Sequence, residues 1–265
     1  MNVRHLRWWL GLGLLNCMAA AAMGATYASV QSTYRPLGWS LAAQVQVKGC
    51  DAQAQAFMAV LPGFQTYTAG SLKEGIAFAQ ANQCKLDPQR LYFFAAYAPR
   101  IYFMSNGGAY TDALGVTIGT ATAPNGKPPA GTNYTVFPSA NSYYLNNFSN
   151  KQTNGQRTQF CPLLPGDFVQ LPTVNAGQQL SLVFMSNLNS SGNVPSGYTF
   201  YNDPNANADK YQHMVAFFPP NSNYIIVGFE DLYGGGDGDY NDVVMVIDVG
   251  TTNASLWRNS ATLPK

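Results

Sequence analysis

The residues best equipped for chemistry lie in one stretch near the C-terminal end, Ile226–Gly250, which reads IVGFEDLYGGGDGDYNDVVMVIDVG. Of the 13 acidic residues in the chain, Glu230, Asp231, Asp237, Asp239, Asp242 and Asp248 fall within it, and no Lys or Arg occurs from Tyr211 to Trp257. Carboxylates crowded in this way repel one another and retain protons unless a cation sits among them. Oxygen-only donors in a flexible, glycine-containing loop suit calcium better than zinc or copper. Asp237, Asp239 and Asn241 alternate, so a turn brings their side chains together from successive positions, while Glu230 and Asp231 approach from the other side of Gly234–Gly236.

Other templates fit less well. Asp237-x-Asp239-x-Asn241 opens like an EF-hand, and Asp248 falls at its twelfth position. But Asp242 stands where that loop requires glycine, and VVMVIDV alternates like a strand instead of opening a helix. A bare solvated hairpin turn would satisfy Gly and Asp chemistry, but it does not need this density of acids between two apolar strands. For catalysis the chain offers little. With His5 in the leader, His213 is the one histidine of the mature chain, and its position just before MVAFF reads as a hydrogen-bonding residue at a strand start. There is no GxSxG elbow, and the acids outside the loop (Asp51, Glu74, Asp87, Asp112, Asp167, Asp203 and Asp209) are scattered, against the paired carboxylates a glycosidase needs. The expectation is a binding or surface module and not an enzyme, with a secreted hydrolase as the weaker alternative.

The elements that must position the loop are mostly strands. From Arg90 onward, LYFFAAY, RIYFMS, LGVTIGTA, NYTVFP, LSLVFMSN, HMVAFF, NYIIVGF and DVVMVIDV are short aromatic or β-branched runs separated by Gly, Pro, Asn and Asp. Their spacing predicts an antiparallel β-sandwich or jelly-roll-like domain over residues 91–265. Residues 26–90 are expected to form a small Ala/Gln-rich helical region packed on that domain. Helices are predicted at Asp51–Val60, interrupted by Pro62-Gly63, and at Ser71–Asn82, with Asp51 and Ser71 as N-caps and Glu74 at capping-box spacing from Ser71. Asn141–Thr158 and Ser190–Lys210 read as long exposed loops.

The first 25 residues carry Arg4 and Arg7, a short apolar run at Trp8–Leu15 and then small residues, the order of a secretory signal peptide. Lipidation at Cys17 is disfavoured by Asn16 and by the apolar stretch that continues beyond it. No other segment is long and apolar enough to span a bilayer, so the expected location is secreted or cell surface. Removing Arg4 and Arg7 from the 14 basic residues leaves 12 against 13 acids, a balance of −1 that points to no nucleic-acid partner. In an oxidising compartment Cys50 and Cys84, flanking the helical region, are the favoured disulfide, leaving Cys161 as a buried thiol or an intermolecular partner.

EDLYGGGDGDYNDVVMVI resembles the closing signature of the bacterial domain of unknown function 4114 family, found in exported and surface-associated proteins. RIYFMSNGGAYTDALGV resembles its opening segment, and LLPGDFVQLPTVNAGQQLSLVFMSN and YQHMVAFF its middle, so the resemblance spans roughly residues 98–250. It implies a β-sandwich in which Glu230, Asp231, Asp237, Asp239, Asn241 and Asp242 line a calcium site. The hydrophobic sorting tail that members often carry is not found in the closing TTNASLWRNSATLPK. Two non-enzymatic roles remain open. In one, calcium orders a loop that contacts a glycan or a matrix or cell-surface partner, with Tyr198, Tyr201, His213, Tyr233 and Tyr240 as ligand-binding candidates. In the other, the protein self-associates as a subunit of a surface layer or fibre.

Overall fold

The computed structural model describes residues 30–78, 85–142, 157–219 and 222–259; the expected signal peptide, Cys17, Cys84 and hence the Cys50–Cys84 pairing lie outside the described residues. Ten strands form the frame: β1 (Lys85–Leu86), β2 (Arg100–Asn106), β3 (Ala113–Thr120), β4 (Thr132–Phe137), β5 (Phe168–Gln170), β6 (Gln178–Met185), β7 (Thr199–Tyr201), β8 (Met214–Phe217), β9 (Tyr224–Phe229) and β10 (Val243–Asp248). They pair antiparallel in a six-stranded sheet, order β1-β8-β9-β10-β2-β5, and a four-stranded sheet, order β4-β3-β6-β7.

The two sheets share a core. Ile101 and Phe103 of β2, Ile225, Val227 and Phe229 of β9, and Val243, Met245 and Ile247 of β10 meet Leu114, Val116, Leu180, Leu182 and Phe184 of the smaller sheet. Phe184 stacks on Phe229 across the layers at 4.8 Å. The intervening residues of the large sheet, Tyr102, Met104, Ile226, Val244 and Val246, face the opposite way and are buried too. Strands covered on both faces need apolar side chains at every position, which is why VVMVI runs without a polar break. The outer cover is the helix α1 (Ala52–Ser71), whose Ala54, Phe57, Leu61, Phe64 and Thr68 form one buried stripe at helical spacing. Phe57 lies over Tyr102 at 3.8 Å. Asp51 caps the helix through the N–H of Ala54 and holds Arg100 of β2 in two bonds, each 2.8 Å. That guanidinium keeps the Asp51 carboxyl below the usual carboxylate range.

Several expectations are corrected. One helix runs straight through Pro62 and Gly63, and Ser71 ends it where it was expected to cap a second. The buried stripe outweighs the backbone bond that proline forfeits. Residues 72–78 leave the helix to cross the acidic loop. The N–H of Gly75 donates to Asp239 Oδ2, and that of Phe78 to the carbonyl of Gly238. LYFFAAY is not a continuous strand, because it divides its hydrogen bonds between residues 174–180 and a second helix, α2 (Thr251–Asn259). Asn253 Oδ1 accepts from the N–H groups of Phe94 and Ala95, and Trp257 Nε1 donates to the carbonyl of Tyr92. Toward residues 174–180 it makes single bridges, Tyr92 with Gln179 of β6 and Tyr97 with Val174, and the carbonyl of Phe93 accepts from the N–H of Gly177. Among the described residues no helix is long and apolar enough to cross a membrane.

Candidate metal centre

The register places five chain ends together. Val243, the first residue of β10, is opposite both Asn106 at the end of β2 and Phe229 at the end of β9. Ala113, the first residue of β3, is opposite Met185 at the end of β6. The acidic turn between β9 and β10 and the Gly107–Asp112 turn between β2 and β3 therefore close the same end of the sandwich.

The acidic turn is held by its backbone. The N–H of Asp231 donates to Asp242 Oδ2 at 2.8 Å. The carbonyl of Asp242 accepts from Asn106 Nδ2 and from the N–H groups of Gly107 and Gly108 at 2.9, 2.9 and 3.1 Å. Ser186 Oγ donates to the carbonyl of Asp231. Gly236 has a positive φ of 44°, and a Cβ there would overlap Glu230 Oε1. Tyr240 adopts φ 58° without being glycine. That left-handed conformation costs a non-glycine residue about 1–2 kcal/mol. Burial of the Tyr240 ring beside Phe78, with its hydroxyl donating to the carbonyl of Gln212 at 2.9 Å, offsets it.

Beneath the turn, Glu230, Asp231 and Asp242 each bring a carboxylate oxygen within 4.8 Å of the other two. Glu230 is 1% exposed and Asp231 3%. Burial, reinforced by Asp242, pushes the Glu230 carboxyl up to about 8. Burial, with Asp112 as the strongest neighbouring charge, raises Asp231 to about 9. Burial raises Asp242 to about 6, although the N–H of Asp231 works against it. Three buried oxygens here meet no donor: Glu230 Oε2, Asp231 Oδ2 and Asn106 Oδ1. All are acceptors. An orphan acceptor costs about 1–3 kcal/mol, more when charged, unless an electron-poor partner is present. A Cβ at Gly108 would collide with Asp231 Oδ2, so glycine keeps that space clear.

The six residues expected to form one site are divided. Glu230, Asp231 and Asp242 form the buried group, whereas Asp237 and Asp239 gather with Glu74 in a second, more open one. Asn241 bonds to that second group, its Nδ2 reaching Asp239 Oδ2 at 2.8 Å and Glu74 Oε2 at 3.1 Å. There the oxygens of Asp239 already accept from Gly75, Asn241 N–H and Asn241 Nδ2. Sequence reasoning read Glu74 as a helix-capping residue, counted Asp112 among the scattered acids and did not single out Asn106. The signal for Asp112 and Asn106 was the Asn106-Gly107-Gly108 turn, whose small residues let another backbone approach closely.

The ligand-binding candidates are dispersed. His213 is fully buried, stacked on Phe200 at 3.4 Å, with Nε2 on Asp209 Oδ2 at 2.8 Å and Nδ1 on the carbonyl of Glu230 at 2.9 Å. Its ring and that of Tyr240 are packing elements with no face for a ligand. Tyr201 is half-buried within β7. Tyr198 packs its ring against Tyr110 and Tyr233, and Tyr233, 50% exposed, lies on the outside of the acidic turn. Cys161 is wholly buried, away from any surface where an intermolecular bridge would form.

The donor set suits a hard cation. Carboxylate and amide oxygens in irregular array match calcium, which takes about 6–8 oxygens, better than magnesium, which demands near-ideal octahedra. Among the described residues no cysteine or histidine side chain joins either acidic group, a donor set that suits zinc or copper poorly. No curated protein and no solved structure gives a significant match to the chain. The portion of the resemblance before residue 174 lies outside the family match. Residues 174–250, from the approach to β6 through the end of β10, match the family model described as Domain of unknown function (DUF4114).

Proposed function

We propose that the buried end of the sandwich binds calcium through Glu230, Asp231 and Asp242, and that the protein is an exported, non-catalytic β-sandwich module for surface adhesion, glycan binding or matrix attachment. What supports the cation is the set of orphan oxygens, all acceptors, at Asn106, Glu230 and Asp231. A solvated acidic turn would hydrate its carboxylates, whereas those of Glu230 and Asp231 are buried and Asp231 Oδ2 lies against Gly108. What supports a non-catalytic role is His213, whose ring nitrogens are both committed inside the protein and so leave no imidazole to act as a general base. A partner would meet the outer side of the turn, where Tyr233 and Leu232 are exposed. Calcium acts there by fixing the loop that presents them.

Two measurements test the reading. Calcium added to metal-free protein should raise the melting temperature, and a glycan array probed with and without chelator should show calcium-dependent signal. An unchanged melting temperature removes the cation. A calcium response without any glycan or matrix binding removes the adhesive role alone.

A further inference from the structure

We propose that a polar cleft on the outer face of the four-stranded sheet, at the end of the sandwich away from the acidic turn, binds a single neutral sugar ring. The inference rests on the glycan-binding role read above, but not on the cation. Along β6, Leu180 and Leu182 enter the shared core, so Gln179 and Ser181 face outward. Gln179 is opposite Gly119 near the end of β3, far along that strand from Ala113 and the acidic turn. The segment from β3 to β4, residues 121–131, folds over this face and encloses a cleft of about 170 Å³ with Ser181, Asn202 and Asp203. Its position is fixed. The N–H of Gly126 donates to Asp203 Oδ2 at 2.8 Å, that of Thr122 to Gln179 Oε1 at 3.4 Å, and that of Lys127 to Asn125 Oδ1 at 3.0 Å. Gly119 lets the two ends of the segment meet, since a Cβ there would lie 2.0 Å from the carbonyl oxygen of Ala130. Pro124, Pro128 and Pro129 hold φ at about −65°, so little ordering is left for a ligand to impose.

The polar groups left over select the ligand. Ser181 and Asn202 are 4% and 3% exposed and line the cleft. Among the described residues the Ser181 hydroxyl meets no hydrogen-bond partner. Asn202 commits only its Nδ2, to the carbonyl of Pro88 at 2.9 Å, which leaves Oδ1 as an acceptor. Asp203 Oδ1 accepts from the N–H and Nδ2 of Asn205, and Oδ2 from Gly126. A carboxylate has about four acceptor positions, so Asp203 retains one. Lys127, also on the cleft wall, and Asp203 take part in none of the ion pairs among the described residues. An anion would meet Asp203, and a cation would meet Lys127. A neutral hydroxyl both donates and accepts, so it satisfies either sign. Sugar hydroxyls ring a body whose C–H faces can rest on Pro124 and Pro128. Clefts for drug-sized ligands run to about 300–1,000 Å³, so this smaller one matches one ring and not a chain.

Glucose, galactose, mannose and N-acetylglucosamine are the probes, each as the free sugar and as its methyl glycoside, titrated by saturation-transfer NMR with chelator present. At least one should bind at millimolar concentration. A bound glycoside marks the end of a glycan as the occupant, and a bound free sugar alone marks a soluble one. Lys127→Ala, at an exposed position, should weaken binding about tenfold, the worth of one charge-assisted hydrogen bond. Ser181→Leu fills the cleft and should abolish binding. No binding by any probe, or binding that both variants retain in full, overturns the cleft and leaves the calcium reading standing. Binding that appears only with calcium and survives both substitutions puts the sugar at the acidic turn, which overturns the cleft and supports the earlier reading. Should the Ser181→Leu protein not fold, the affinity of Lys127→Ala decides.

Discussion

The N–H of Asp231 donates to Asp242 Oδ2 at 2.8 Å, joining residues eleven apart across the acidic turn. One oxygen of Asp242 thus fixes the turn, and the carboxylate as a whole carries charge into the buried group. Asp242→Asn can preserve the first role and removes the second. At a calcium concentration a hundredfold above the dissociation constant, binding to the folded state alone stabilises by about 2.7 kcal/mol. For a domain of this size that is about 5–10 °C in melting temperature. The rise should be present in the wild type and shrink to about 1–2 °C in Asp242→Asn, measured by differential scanning fluorimetry. A variant that responds like the wild type shows that Asp242 is not a ligand.

Acid dependence of the metal-free protein follows from the same group. Glu230 and Asp231 are raised by burial to about 8 and about 9, and Asp242 to about 6. The folded protein therefore holds protons that the unfolded chain, with ordinary carboxyl values near 4, has released. Where the native state binds more protons, stability falls as pH rises. Metal-free protein should be more stable at pH 5 than at pH 8, and stability should decline throughout that window. Calcium replaces those protons, so its stabilising increment should grow from pH 5 to pH 8. Urea unfolding at both pH values, with and without calcium, checks the sign. A metal-free protein that gains stability toward pH 8 contradicts the burial of these carboxyls.

His213 anchors the entrance of the turn. Its carbonyl accepts from the N–H of Glu230 at 3.0 Å while its Nδ1 contacts the carbonyl of Glu230, and Asp209 joins its Nε2 to the N–H of Gly234. Burial would raise the Asp209 carboxyl, but the Gly234 N–H and the His213 ring outweigh it and hold the value below normal. His213→Phe keeps a ring over Phe200 and strands the Glu230 carbonyl, a loss of about 1–3 kcal/mol. The loss should appear in metal-free and calcium-loaded protein alike in urea unfolding. If it vanishes when calcium is bound, the ion and not the histidine fixes this part of the loop.

The parts of this architecture legible in the sequence are those set by local pattern. RIYFMS, LGVTIGTA, NYTVFP, LSLVFMSN, HMVAFF, NYIIVGF and DVVMVIDV all correspond to strands, because each carries enough β-branched and aromatic residues to fill a covered sheet. The edge strands β1, β5 and β7, of two or three residues, carry no period to read. LYFFAAY has strand composition but divides its hydrogen bonds between residues 174–180 and, some 160 residues away, Asn253 and Trp257, a contact that no local pattern encodes. The acidic turn announced itself by charge. Its division into a buried and an open group did not, since Glu74 arrives only through the segment after α1.

Pro62 offers a test of how α1 overrides local propensity. The residue sits inside a 20-residue helix on its exposed face, where it cannot donate to the preceding turn. A proline in a helix interior costs about 3 kcal/mol. The helix persists because Phe57, Leu61 and Phe64 are buried on the large sheet and Asp51 caps its start. Pro62→Ala restores the missing donor without touching the core. It also frees the unfolded chain, which returns about 0.4–1 kcal/mol of the gain. The net expectation is about 2–2.5 kcal/mol of added stability by urea unfolding, with the calcium response unchanged. A destabilised Pro62→Ala protein would mean that the proline shapes the helix so that Leu72 reaches the acidic loop, and that packing alone does not hold α1 in place.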